Sequence, residues 1–147
     1  MLRTIFFSLT IATASLSATA QSQFLGGATE VRKMADGIMG SVAAGNYDGA
    51  WSQMKPYTVV PAAEFDVFTA QFSSQLPNIL QRYGTPLGSE FVREEKAGES
   101  LLRLVYLAKY QKTGMRWFFV FYRGEKGWVL SDFKFDGNLV AVFPGQG

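Results

Sequence analysis

Neither cysteine nor histidine occurs anywhere in this sequence. The first absence excludes disulfides, thiol nucleophiles and thiolate metal ligands. The second removes the commonest general base, the Ser-His-Asp arrangement and nearly all zinc and haem sites. Nothing in the composition implies a cofactor. An excess of charge of one sign is also lacking. Fourteen Lys and Arg stand against twelve Asp and Glu, and setting Arg3 aside leaves thirteen. So even a balance does not suit a nucleic-acid binder, whose affinity rests on neutralising phosphates. There is no internal repeat and no low-complexity tract. After the first twenty residues no segment is apolar enough to span a membrane.

What is present begins with an address. Arg3 supplies a positive start, and residues 5–14 (IFFSLTIATA) form an apolar run too short to cross a bilayer. Ala18-Thr19-Ala20 is a small-x-small cleavage pattern. Residues 1–20 are therefore expected to be a signal peptide cut before Gln21, sending the chain to the periplasm or outside the cell. With no Cys after the apolar run, a lipid-modified start is not expected. Residues 21–147 suit a single α+β domain, long enough to bury a core without staples.

Helices come first. Thr29 is the expected N-cap of a helix whose stripe is Val31, Met34, Ile38 and Val42, stopped by Gly45. Asn46 is placed to cap a short helix that buries Tyr47, Trp51 and Met54 and ends at Lys55-Pro56. Pro61 is expected to start a third helix with an aromatic stripe of Phe65, Phe68, Phe72 and Leu76, kinked or broken at Pro77.

Residues 100–136 read as three antiparallel strands, and residues 88–95 as one strand before them. A two-residue turn at Thr113-Gly114 would set Tyr110 opposite Trp117, Ala108 opposite Phe119 and Tyr106 opposite Phe121. The next hairpin would set Phe121 opposite Leu130 and Phe119 opposite Asp132. Strand alternation then puts Phe91, Leu104, Tyr106, Ala108, Tyr110, Trp117, Phe119, Phe121 and Leu130 on a core face. The other face carries Val92, Arg103, Val105, Leu107, Lys109, Arg116, Phe118, Val120, Tyr122, Val129 and Phe133. It is too apolar for open water and is expected to meet a partner. Leu139 to Phe143 would return as an edge strand.

Helices followed by a strongly curved antiparallel sheet resemble the cone-shaped fold of the nuclear-transport-factor-like and ketosteroid-isomerase-like superfamily. The residues carrying the resemblance are Gly45-Asn46-Tyr47-Asp48-Gly49-Ala50-Trp51 and Gly127-Trp128-Val129-Leu130. It would cover residues 29–143 and is nearest to small exported members of unassigned function. The resemblance implies a cone interior and dimers formed through sheet faces.

Asp132 is the weak catalytic candidate. On the core face beside Phe119 it would be desolvated, which raises a carboxyl's pKa and suits proton transfer, with Tyr106 or Tyr110 as partner. A bulge at Ser131-Asp132 would instead turn Asp132 outward and bring Phe133 and Phe135 into the core. Arg103, Lys109, Lys112, Arg116 and Arg123 read as a solvated or rim face and not as a nucleic-acid site. Glu90, Glu94, Glu95 and Glu99 lack a calcium loop and serve to keep an edge strand soluble.

The sequence thus points to an exported non-catalytic binding or interaction module. A small apolar ligand would sit among Phe65, Phe68, Phe72, Tyr106, Tyr110, Trp117 and Phe119. Self-association would use Leu107, Phe118, Val120 and Tyr122 on the outer face. The alternatives are an isomerase- or dehydratase-like enzyme using Asp132 and a Tyr, and a structural subunit of a homodimer or envelope complex.

Overall fold

The computed structural model of the chain describes residues 23–145. The expected signal peptide lies outside them. Helix α1 (Ala28–Ala43) starts before Thr29, so Thr29 sits in the first turn and is not the cap. Gly27 holds the cap position and has no side chain to offer. The Glu30 carboxylate reaches back instead and accepts from the Gly26 amide at 2.6 Å. Gly45, at φ 73°, follows the end of α1, in the left-handed region that favours glycine. Helix α2 (Tyr47–Met54) is capped as expected: Asn46 Oδ1 accepts from the Gly49 amide at 2.9 Å.

Helix α3 (Ala62–Tyr83) follows Pro61 and runs through Pro77 without a break. Proline there removes the bond to the Ser73 carbonyl. Ser73 and Pro77 are both solvent-exposed, so that carbonyl is open to solvent and the helix continues.

Four strands follow: β1 (Pro86–Ala97), β2 (Leu101–Tyr110), β3 (Gly114–Gly124) and β4 (Gly127–Asp136). They form an open antiparallel sheet in the order β1-β2-β3-β4, with the three helices packed on one face. Part of the free edge of β4 is already paired. Leu25 and Trp128 exchange two backbone bonds of 2.9 Å, and Leu130 bonds to Tyr57 and Val59 at 2.8 and 3.1 Å. That pairing blunts one edge against other chains.

The β2–β3 register departs from expectation by four residues. The turn is Gln111-Lys112, so Tyr106 lies opposite Trp117, Leu104 opposite Phe119 and Leu102 opposite Phe121. The cause lies outside the hairpin. The Gln111 amide donates to Thr85 O at 3.1 Å and the Lys112 amide to Tyr83 O at 2.9 Å. Those bonds reward an early turn. Four is an even number, so every side chain keeps its expected face although its partner changes.

β4 takes the bulged alternative, which corrects the unbulged pairing of Phe119 with Asp132. Phe121 faces Leu130 as expected, but Val120 faces Asp132 and Phe119 faces Phe133. Ser131 is the extra residue of a bulge, and beyond it the strand's faces are exchanged. Asp132 is therefore exposed on the outer face. Phe133 and Phe135 turn inward against the core. A second bulge, between Phe91 and Arg93 on β1, takes Val92 out of the ladder and turns Arg93 and Glu95 to the outer face.

Residues 139–143 are not an edge strand. Leu139–Val142 is a 3-10 helix lying across the outer face of β2 and β3. Asp136 Oδ1 accepts from the Asn138 amide at 3.0 Å and turns the chain back. Arg93 donates to the Val142 carbonyl and ties down the far end.

With Asp132 outside, Asp132→Asn should change the unfolding free energy by no more than about 0.5 kcal/mol. Phe135→Ala should cost on the order of 3 kcal/mol. Urea midpoints of the two variants measure both, and a large loss at Asp132 would contradict the bulge.

Candidate functional site

The seven residues expected to line an interior site do come together, but their rings pack on one another. Trp51 of α2 is the hub. It lies 4.9 Å from Phe72, 5.1 Å from Phe68 and 5.8 Å from Trp117, centroid to centroid. Phe135 stacks on Trp117 at 4.6 Å and meets Phe72 edge-on at 5.4 Å. Phe133 meets Phe68 at 5.3 Å and Phe65 at 6.2 Å. Phe119 lies 5.9 Å from Tyr106. Such pairs each contribute roughly 0.5–1.5 kcal/mol beyond the area they bury. Trp51, Phe133 and Phe135 were absent from the expected ligand-lining set. The helical spacing that buries Trp51 was visible in the sequence, whereas the two Phe needed the bulge.

Each expected tyrosine has its hydroxyl engaged away from Asp132. Tyr106 Oη donates to Asp36 Oδ1 at 2.7 Å, and Arg32 Nε donates to the same oxygen at 2.9 Å. The Arg32 guanidinium lies 3.4 Å over the Phe91 ring. Tyr110 and Tyr47 share a buried hydroxyl–hydroxyl bond of 2.8 Å. Burial raises the pKa of all three phenols. For Tyr106 the bond to Asp36 raises it further, for Tyr110 the bond to Tyr47 does so, and for Tyr47 the bond to Tyr110 acts the other way. A phenol held protonated donates well but is a poor base at neutral pH. The Asp–Tyr pair that forms is Asp36–Tyr106, and the Asp36 side chain is half-exposed and ion-paired. No group of three or more acidic side chains among the described residues could hold a metal ion.

At the end of α3 a cleft of about 290 Å³ opens between Ile79, Tyr83, Met115 and Phe135, with Asn78, Arg82 and Asp136 at its rim. Phe135, one of the packed rings, forms part of its wall.

The outer face has a different order. Across the strands run four rows: Ala97, Leu101, Tyr122, Val129; then Glu95, Arg103, Val120, Asp132; then Arg93, Val105, Phe118, Lys134; then Glu90, Leu107, Arg116, Asp136. The two central strands are mainly apolar apart from Arg103 and Arg116, and both edges alternate in charge. Arg116 grips Asp136 with two bonds, of 2.6 and 3.1 Å, and Glu95 accepts from Arg103 and from Arg93. Hydrogen bonds from Arg103 to Glu95 and from Arg116 to Asp136 are the main reason both carboxyls titrate below their usual range. Arg103, Arg116 and Lys109 are thus paired with neighbouring acids, the last with Glu90 at 3.9 Å, whereas Lys112 donates to the Gln81 carbonyl at 2.6 Å.

Of the four expected interface residues, Leu107, Phe118 and Val120 are half-buried and Tyr122 is exposed, and Leu107 packs against the 3-10 helix. Gly114 has no Cβ, and one built there would lie 2.7 Å from Leu107 Cδ1 and 3.4 Å from Leu139 Cδ2. The two leucines close over that gap under the 3-10 helix. Val105 is only 2% exposed for the same reason. Phe118 is half-buried, with the Arg116 and Arg103 guanidinium groups 5.2 and 5.9 Å from its ring centre. Val120, Tyr122 and Leu101 remain, the last two 47% and 40% exposed.

Glu95 and Asp136 have depressed folded-state values. Their stabilisation is complete above the unfolded carboxyl range and is lost as pH falls through the folded values. Denaturant titrations from pH 7 to pH 2.5 should show stability falling below about pH 4.5, and Asp136→Asn should flatten that slope. At the other end, spectrophotometric titration should find Tyr47, Tyr106 and Tyr110 ionising well after an ordinary phenol at about pH 10. Stability should fall in that alkaline window, because the unfolded chain ionises first. Compared with known protein families, with curated proteins and with solved structures, the chain matches none of them.

Proposed function

We propose that this protein is an exported, non-catalytic interaction module that pairs with a second copy of itself through the outer face of its sheet. The observation that carries the reading is the contrast between the two faces. The inner face spends its aromatic rings on one another. The outer face leaves Leu101 and Tyr122 in water beside Val120, within an alternating charged rim. An apolar centre with a polar rim is the anatomy of a protein interface. Because both edges alternate in sign, a second copy rotated about a twofold axis across the strands sets its Arg93 and Lys134 row over the Glu95 and Asp132 row, so opposite charges meet along the rim. A near-neutral balance also leaves little repulsion between copies. Export is supported by Arg3, the apolar run after it and Ala18-Thr19-Ala20.

The fold belongs, on this reading, with the cone-shaped superfamily it resembles. The bulges at Val92 and Ser131 support a curved sheet, since bulges bend strands and increase their twist. The cleft beside Ile79, Met115 and Phe135 is the entry a small apolar ligand would use. It lies near the lower end of ordinary ligand sites, roughly 300–1,000 Å³. The enzyme alternative has no support from Asp132, which stands outside the core and apart from both tyrosines.

Sedimentation velocity over a concentration series should show a monomer–dimer equilibrium for the mature protein. Val120→Glu places a charge in the apolar centre and should weaken the dimer at least tenfold with the circular dichroism spectrum unchanged. A monomer at every concentration, or a dimer indifferent to Val120→Glu, would defeat the proposal.

A further inference from the structure

The C-terminal 3-10 helix has a structure that its own packing does not account for. Its inner side buries Ala141 and half-buries Leu139 and Val142 against the outer sheet face. Its outer side leaves Val140 64% exposed and Phe143 67% exposed. These are among the most exposed large apolar side chains of the described residues. A tail with no further role needs neither the anchors nor the exposed aromatic ring.

The anchors are specific. Asp136 stops the chain by accepting from the Asn138 amide, and it is itself clamped by Arg116. Arg93 holds the other end through the Val142 carbonyl, while Glu95 fixes Arg93 at 2.7 Å and takes Arg103 on its second oxygen. The missing Cβ of Gly114 leaves room for Leu107, and Leu139 packs beside it. The segment's backbone supplies little of this. Besides its single 3-10 turn, it adds the flanking bonds Leu139 N to Gly137 O at 3.0 Å and Phe143 N to Val140 O at 3.2 Å. A single 3-10 turn is weak alone, so side chains of the sheet set its position.

We infer that residues 139–143 are part of the pairing surface: held on the outer face by Arg93, Asp136 and Gly114, they present Val140 and Phe143 to the second copy. The inference rests on the outer-face reading above and deepens it. Phe143 is the anchor ring and Val140 widens the apolar centre. The partner is a second copy because the same face carries both the apolar centre and the alternating rim that a twofold-related copy complements. An aromatic anchor of this kind commonly dominates an interface.

The test uses the full mature chain by sedimentation velocity. Phe143→Ser and Val140→Asp each alter an exposed side chain, so folding is retained and circular dichroism checks it. Each should weaken the dimer by tenfold or more. Arg93→Met, which frees the far end of the segment and removes one rim charge, should weaken it by a smaller factor. If Val120→Glu dissociates the dimer while Phe143→Ser and Val140→Asp leave its Kd unchanged, the segment is not in the interface and only this inference falls. If Phe143→Ser or Val140→Asp tightens the dimer, the segment obstructs pairing and the inference is overturned. If the unaltered chain is monomeric throughout, the outer-face reading and this inference fall together.

Discussion

The stack of Trp51, Trp117 and Phe135 is the contact on which the remaining structure depends. Trp117 is fully buried at the centre of β3. Trp51 covers it from α2 at 5.8 Å, and Phe135 lies on it from β4 at 4.6 Å. Three elements that are distant in sequence thereby meet at one point. α3 has few other points of attachment: of its twenty-two residues, Phe65, Phe72 and Tyr83 are buried. Phe72 reaches both Trp51 and Phe135, so the same cluster that joins α2 to the sheet also holds α3. Each aromatic pair adds a modest energy, but rings that share partners fix orientation as well as distance.

That stack exists because β4 carries one extra residue. Without the bulge at Ser131, strand alternation would send Phe133 and Phe135 outward and Asp132 inward. The carboxylate would then replace two rings at the most crowded part of the interior. Burying an unpaired charge there costs far more than a bulge in a ladder. The same residue count therefore decides two questions at once. It completes the aromatic core, and it removes the carboxylate from the place where proton chemistry was conceivable.

The outer face is governed by a second constraint, the need to satisfy charges set among apolar side chains. Arg93, Glu95 and Arg103 form one group, and Arg116, Asp136 and Lys134 another. Exposed ion pairs alone stabilise little. These are partly sheltered, and their consequence is positional: they hold the C-terminal turn against Val105 and Leu107. The face is thereby divided into a covered half and an open half. Self-association through the open half, extended by Val140 and Phe143, is what we propose the protein does with it.

Much of this could be read from residue order because it depends on local periodicity. The α+β class, the helix ends at Gly45 and Asn46, the aromatic stripe of Phe65, Phe68 and Phe72, and the face of each residue in β2 and β3 follow from spacing and turn chemistry. The faces survived a register error of four residues, since strand alternation responds only to odd shifts. Tertiary structure decided what local rules leave degenerate. Bonds donated to the Thr85 and Tyr83 carbonyls selected the Gln111-Lys112 turn, and packing against Trp117 selected the bulge. Bonds from Arg93 and Asp136 laid residues 139–143 across the sheet. In each case two local conformations of similar energy were separated by a partner distant in sequence. Asp132 shows the consequence most plainly, because its place inside or outside the core was set by rings on other elements and not by its own neighbours.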